Sequence, residues 1–133
     1  MAARTVLFVY GTLKRGERAN RLLAGQTYLG PATTAPRYRL VDLGDHPGMI
    51  PDAAAGLSVT GELWEVSECC LDELDDYEGC PVDYVRGIVD VIGATGPVEG
   101  YRYVGPVPIG ARTGGRWPFP ACQSGAGAGG TES

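Results

Sequence analysis

A chain of 133 residues, 44% of them hydrophobic, can bury one real core. A net charge of -5 leaves no basic stripe to neutralise phosphates, which argues against a nucleic-acid partner. No apolar run reaches membrane-spanning length, and the run after Arg4 is too short for a signal peptide and lacks a small-residue cleavage site, so a cytoplasmic protein with no membrane role is expected.

The first element is a short apolar run, Val6 to Val9, with the composition of a buried strand. It stops at Tyr10-Gly11, where a residue without a Cβ lets backbone approach a ligand closely. Thr12, Lys14 (the chain's one lysine) and Gly16 follow, then a helical-looking stretch from Glu17 to Ala24. A strand that ends in a glycine turn and feeds a helix leaves backbone N–H groups unpaired at one spot, a ready cradle for an anion. An ordinary strand-to-helix turn explains the same stretch equally well.

Gln26 to Leu40, interrupted by Pro31 and Pro36, reads as one bent or edge strand. Leu43 to Ala55 is rich in Gly, Pro and Asp and reads as a loop, more a plain connection than the wall of a pocket. Leu57 to Val66 alternates apolar and polar residues as a half-buried strand does, and Gly61 within it signals a bulge or a close backbone approach. Ser67 is placed to cap a helix that runs to about Tyr77 and stops at Gly79 and Pro81. Val82 to Ile92 and Val98 to Val104 read as strands joined by a hairpin turn at Gly93 to Pro97. Pro106 to Pro120 holds too many prolines and glycines for a regular element. Residues 1–120 are expected to form a single domain, and the Gly/Ala/Ser tail at 121–133 is expected to be disordered. This order, mostly strands with two short helices and no regular βαβ alternation, predicts an α+β fold, a small mixed β-barrel with flanking short helices. Cys69, Cys70, Cys80 and Cys122 form no C-x-x-C pair, and with only His46 beside them neither a metal site nor a disulfide framework is expected.

The segment Leu71 to Glu78 is crowded with acids, most of which belong to a solvated helix face. At roughly 100° per residue, Cys70, Leu71, Leu74 and Tyr77 make one stripe. Asp72, Glu73, Asp75 and Asp76 fall beside or opposite it, whereas Glu78 projects between Leu71 and Leu74. A carboxylate aimed at the core from a helix C-terminus meets both burial and the negative end of the helix dipole, and both raise its pKa. That tuning suits general acid and base work near neutral pH.

Two segments, Val9 to Gly16 and Leu74 to Arg86, together resemble the γ-glutamylcyclotransferase (AIG2-like) family, closest to its γ-glutamylamine cyclotransferase branch. The matching features are the Tyr10-Gly11-Thr12-Leu13 turn after the first strand, the Asp75-Asp76-Tyr77-Glu78 helix end, and the Tyr84-Val85-Arg86 strand. Gly61-Glu62-Leu63-Trp64 resembles the family's Gly-Glu-Val-Tyr strand, so the likeness extends to about Val104. The resemblance implies a small mixed β-barrel, release of 5-oxoproline from a small-molecule γ-glutamyl amine or peptide, and no cofactor or metal. It implies that Tyr10, Gly11, Thr12 and Leu13 grip the glutamyl part through backbone N–H groups, that Glu78 is the catalytic acid and base, and that Tyr84 and Arg86 support the site. Asp45 to Met49 is where substrate selectivity is expected, although it matches no motif of the family. The rival readings are a non-catalytic AIG2-like binding or interaction module and a cytidylyltransferase. The latter lacks the histidine-rich turn that its phosphates need, since His46 is the single histidine.

Overall fold

The computed structural model describes residues 4–119. Eight strands and one α-helix follow in the order β1 (Arg4–Val9), β2 (Thr27–Thr33), β3 (Tyr38–Asp42), β4 (Pro47–Pro51), β5 (Thr60–Ser67), α1 (Glu68–Glu78), β6 (Tyr84–Ile88), β7 (Glu99–Tyr103) and β8 (Thr113–Gly114). A five-stranded sheet has the order β2-β5-β1-β7-β6, and a three-stranded sheet the order β4-β3-β8. Among the described residues only the β1–β7 pair is parallel. The expected α+β class holds. The two sheets do not close into one hydrogen-bonded barrel among the described residues; a single bridge, Tyr38 to Leu57, links β3 to the chain before β5, and another, Thr34 to Val91, links the segments that follow β2 and β6, the two edges of the five-stranded sheet. No described helix is long and apolar enough to cross a membrane.

Strand β1 is central, and its uninterrupted apolar run follows from burial on both faces. Leu7 and Val9 pack with Leu23, Trp64, Leu71 and Leu74 on the α1 side. Phe8 and Tyr10 pack on the other side with Leu40, Met49, Val59 and Val98, between the two sheets. The strand therefore delivers the turn after it to the junction of both cores.

Several sequence expectations need correction. Glu17 to Ala24 is not an α-helix; it holds one 3-10 turn, Asn20–Leu23. Gly16 and Gly25, both with positive φ, bound the segment, and so short a stretch gains too few bonds to offset α-helix nucleation. Gln26 to Leu40 is two strands in different sheets, parted near Pro36, although Pro31 does sit on the edge strand β2. The Leu43 to Ala55 segment contains β4, which pairs with β3 from Asp42–Pro47 to Tyr38–Pro51. Prolines at both ends hide it, and they are tolerated because β4 is an edge strand. Pro106 to Pro120 supplies the two-residue β8. The tail at 121–133 lies outside the described residues.

Gly61 marks a close approach rather than a bulge. A Cβ there would lie 2.3 Å from the Val9 carbonyl oxygen and 2.7 Å from Phe8 Cζ, while the register shift sits opposite, between Tyr28 and Gly30. Neither the backbone of the central strand nor a buried ring can give way cheaply. Gly61→Ala is expected to destabilise the fold by about 3 kcal/mol, read as a lowered urea midpoint.

Candidate active site

The turn after β1 is anchored on all sides. Tyr10 is buried, and its hydroxyl donates to the Tyr101 carbonyl at 2.7 Å and accepts from the Met49 N–H at 3.1 Å, pinning β7 and β4 to the strand end. Burial first, then the neighbouring Tyr84 and Glu78, raise the Tyr10 pKa well above its ordinary value, so the phenol stays protonated. The Lys14 N–H closes the turn on the Gly11 carbonyl at 3.1 Å, and the Ala19 N–H bonds the Thr12 carbonyl at 2.9 Å. Lys14 does not face a ligand: its Nζ donates to the Trp117 carbonyl, and partial burial lowers its pKa. The N–H groups of Gly11, Thr12 and Leu13 donate to nothing among the described residues. Three consecutive free amides in one turn are the donors that an anion cradle requires, and here the turn itself supplies them, not a helix N-terminus.

Helix α1 brings the carboxylate. The Ser67 Oγ accepts from the Cys70 N–H at 3.2 Å, as an N-cap should. At the other end Gly79 has φ 75°, and the bonds from Gly79 N–H to Asp76 O and from Cys80 N–H to Asp75 O complete a Schellman motif. Cys70, Leu71 and Leu74 are buried as the helical wheel requires, but Tyr77 is 41% exposed. Its hydroxyl lies 3.2 Å from Thr12 Oγ1 and joins the helix to the turn. Glu78 is largely buried and has no hydrogen bond or ion pair among the described residues; burial pushes its pKa up to about 7.

Three residues earlier, Asp75 has the opposite fate. Arg86 holds it with two hydrogen bonds, Nε to Oδ1 at 2.9 Å and Nη2 to Oδ2 at 3.1 Å, and the Tyr101 hydroxyl donates to Oδ1 at 2.7 Å. Burial opposes the Asp75 charge, but these donors outweigh it and hold the pKa below the ordinary value. One helix end thus carries a carboxylate that its donors hold ionised and, three residues on, an unpaired carboxyl whose pKa burial raises. The remaining Arg86 arm reaches Glu99 on β7, so the guanidinium clips the last turn of α1 to the sheet. Arg86→Met is expected to cost about 1–3 kcal/mol in urea unfolding, because it strands two half-buried carboxylates.

The turn and the helix end open into one pocket of about 560 Å³. Tyr10, Gly11, Thr12, Leu13 and Glu78 all line it, whereas Arg86 does not. Tyr84 lines it too, with its hydroxyl bonded to the Pro47 carbonyl at 2.8 Å. Asp45 and His46, from the stretch where selectivity is expected, form part of the cavity's outer wall, and so do Arg18, Tyr77 and Asp83, whose place there sequence reasoning missed. The segment from Leu43 to Pro47, read as a plain connection, is part of that wall. Its one legible signal was apolar residues inside a Gly/Pro-rich segment.

A sequence model of the family described as "Gamma-glutamyl cyclotransferase, AIG2-like" matches residues 7–119. The chain belongs to that family. A "Gamma-glutamylaminecyclotransferase" of Rattus norvegicus is 39% identical over 103 residues, covering 68% of this chain and 69% of the relative. Among solved structures, a uropathogenic E. coli-specific protein superposes with a TM-score of 0.74 at 28% identity, covering 86% of this chain and 93% of the other. An AIG2-like protein from Mus musculus gives 0.70 at 31% identity, covering 79% and 80%. Residues 7–119 contain both the cradle and Glu78, so the family match spans the whole of the pocket's chemistry.

Proposed function

We propose that this γ-glutamyl cyclotransferase works on a γ-glutamyl amine or peptide, with Glu78 as the general base and acid and the Gly11–Leu13 amides as its anion cradle. The substrate carries its own nucleophile, the α-amino group, which is an ammonium in water and cannot attack. Glu78 takes its proton, and the amine nitrogen bonds the γ-carbonyl carbon to close a five-membered ring. The bond from that carbon to the amide nitrogen then breaks. Glu78 returns the proton to the departing nitrogen, and the ring nitrogen gives up its second proton to the released amine, leaving 5-oxoproline and the amine as its ammonium. The cradle fixes the α-carboxylate or the oxyanion that develops on the γ-carbonyl, and the Tyr10 hydroxyl, bonded to Tyr101 and Met49, anchors the start of the turn.

The observation that carries this reading is an unpaired, largely buried Glu78, its pKa near 7, in the same cavity as three free amides. A module that only binds gains nothing from such a carboxyl. The test is 5-oxoproline release from γ-glutamyl-ε-lysine, γ-glutamyl dipeptides, glutathione and a γ-glutamyl aminoglycoside. Release from any of them supports the reading and names the leaving amine. A folded protein that binds these compounds and releases nothing is the binding module instead.

A further inference from the structure

The turn after β1 has its acceptors engaged and its donors free. The Gly11 carbonyl accepts from the Lys14 N–H at 3.1 Å, the Thr12 carbonyl from the Ala19 N–H at 2.9 Å, and the Leu13 carbonyl from Asn20 Nδ2 at 2.9 Å. The N–H groups of the same three residues have no acceptor among the described residues.

One more polar group stands among them. Thr12 Oγ1 lies 3.2 Å from the Tyr77 hydroxyl, and neither oxygen has another partner among the described residues. Both residues line the cavity that Glu78 lines, Thr12 buried and Tyr77 exposed. A ring that is 41% exposed is not held by the core, so the hydroxyl is what places it. No other hydrogen bond joins α1 to residues 10–14 among the described residues.

Two hydroxyls carry two protons, and the bond between them uses one. If Thr12 donates to Tyr77, the spare proton sits on the exposed phenol, where water serves as its acceptor. If Tyr77 donates to Thr12, the spare proton sits on Thr12, beside the three amides. An anion in the cradle favours the second arrangement, because it gains a further donor. A hydroxyl that accepts a hydrogen bond also donates a stronger one.

We infer that Tyr77 is a positioning residue: its hydroxyl donates to Thr12 Oγ1 and sets the Thr12 hydroxyl as a fourth donor to the anion in the cradle. The inference rests on the cyclotransferase reading above and adds two side-chain hydroxyls to the site of that reaction. Tyr77 touches no substrate in this arrangement and acts through Thr12. Both protons stay on their oxygens, and the bond changes are those already written. Tyr77 also directly precedes Glu78, so the same bond fixes the helix end that carries the base against the turn that carries the cradle.

The test measures kcat/KM, as 5-oxoproline release, on the substrate of the panel above that the unmodified protein turns over fastest. Tyr77→Phe is expected to lose about fivefold, the size of one neutral hydrogen bond, and Thr12→Val about 30-fold, the size of one to a charged group. The double variant Thr12→Val/Tyr77→Phe is expected to lose no more than Thr12→Val alone, since the phenol has nothing left to orient. Thr12→Ser, which keeps a hydroxyl, is expected to recover most of what Thr12→Val loses. If Thr12→Val does not fold, Thr12→Ala carries the same comparison. Equal losses in Tyr77→Phe and Thr12→Val make the bond a structural tie and overturn the inference. Full activity in Tyr77→Phe, or losses that multiply in the double variant, overturn it too, and each of these results leaves the cyclotransferase reading standing. No 5-oxoproline from any substrate of the panel overturns both.

Discussion

Glu78→Gln is expected to lower turnover by roughly 10²–10⁴-fold, the usual contribution of a positioned acid–base group, while the protein stays folded. Glutamine keeps the shape and cannot carry the proton from the α-ammonium to the leaving nitrogen. The unmodified protein is expected to show kcat/KM rising with pH through about 7, since the base must be ionised to act. The same variant has a second, opposite signature in stability. The folded carboxyl holds its proton up to about 7, against an ordinary value of 4.5, so between those two values the folded state binds more protons than the unfolded one. Stability from this group is complete below 4.5 and is lost as pH rises through about 7. The shift corresponds to roughly 3 kcal/mol, which Gln does not lose. Urea midpoints of the two proteins, measured at about pH 4 and about pH 8, are expected to diverge in favour of the variant at the higher pH. A variant that is slow but gains no stability at high pH would show that burial does not tune Glu78. A fully active variant removes it from the chemistry.

The parts legible in the sequence are those set by local rules. The apolar run before Tyr10, the Ser67 cap and the Gly79 stop each follow from one short pattern, and the structure reproduces them. The placement of Glu78 followed from helical geometry, which is also local. Asp75 shows where that reasoning ends. The wheel sets it off the apolar stripe, and the long side chain of Arg86, from a strand eleven residues on, together with the Tyr101 hydroxyl makes it part of the frame. Tyr77 fails the other way: counted into the stripe for its ring, it turns outward and spends its hydroxyl on Thr12. β4 was invisible because Pro47, Gly48 and Pro51 all read as breakers. Gly48 is there to let the strand pack on β7, since a Cβ would stand 2.6 Å from that of Tyr103. The outer wall was read only in the stretch from Asp45, where selectivity is expected; Arg18 and Asp83 come to it from two other connections that share a cavity only once the chain is folded.

Gly11→Ala is the sharpest test of the cradle. Gly11 is not among the glycines with positive φ, so alanine brings no backbone strain of that kind. Space is the constraint: the new Cβ would lie 2.8 Å from Pro47 Cγ and 2.9 Å from Cδ. Pro47 cannot retreat, because it is buried, paired with Asp42, and its carbonyl accepts the Tyr84 hydroxyl. The turn must move instead, and it carries the free amides of Gly11, Thr12 and Leu13 with it. Displacing preorganised donors of this kind costs about 10²–10³ in turnover, more than the about 1–3 kcal/mol of overpacking costs in stability. Adding Pro47→Ala removes the colliding ring atoms and is expected to restore most of the lost activity, although it restores no group that could act on substrate. That rescue separates a displaced cradle from a damaged fold. Unchanged turnover in Gly11→Ala alone would mean that the amides bind nothing that matters to the reaction.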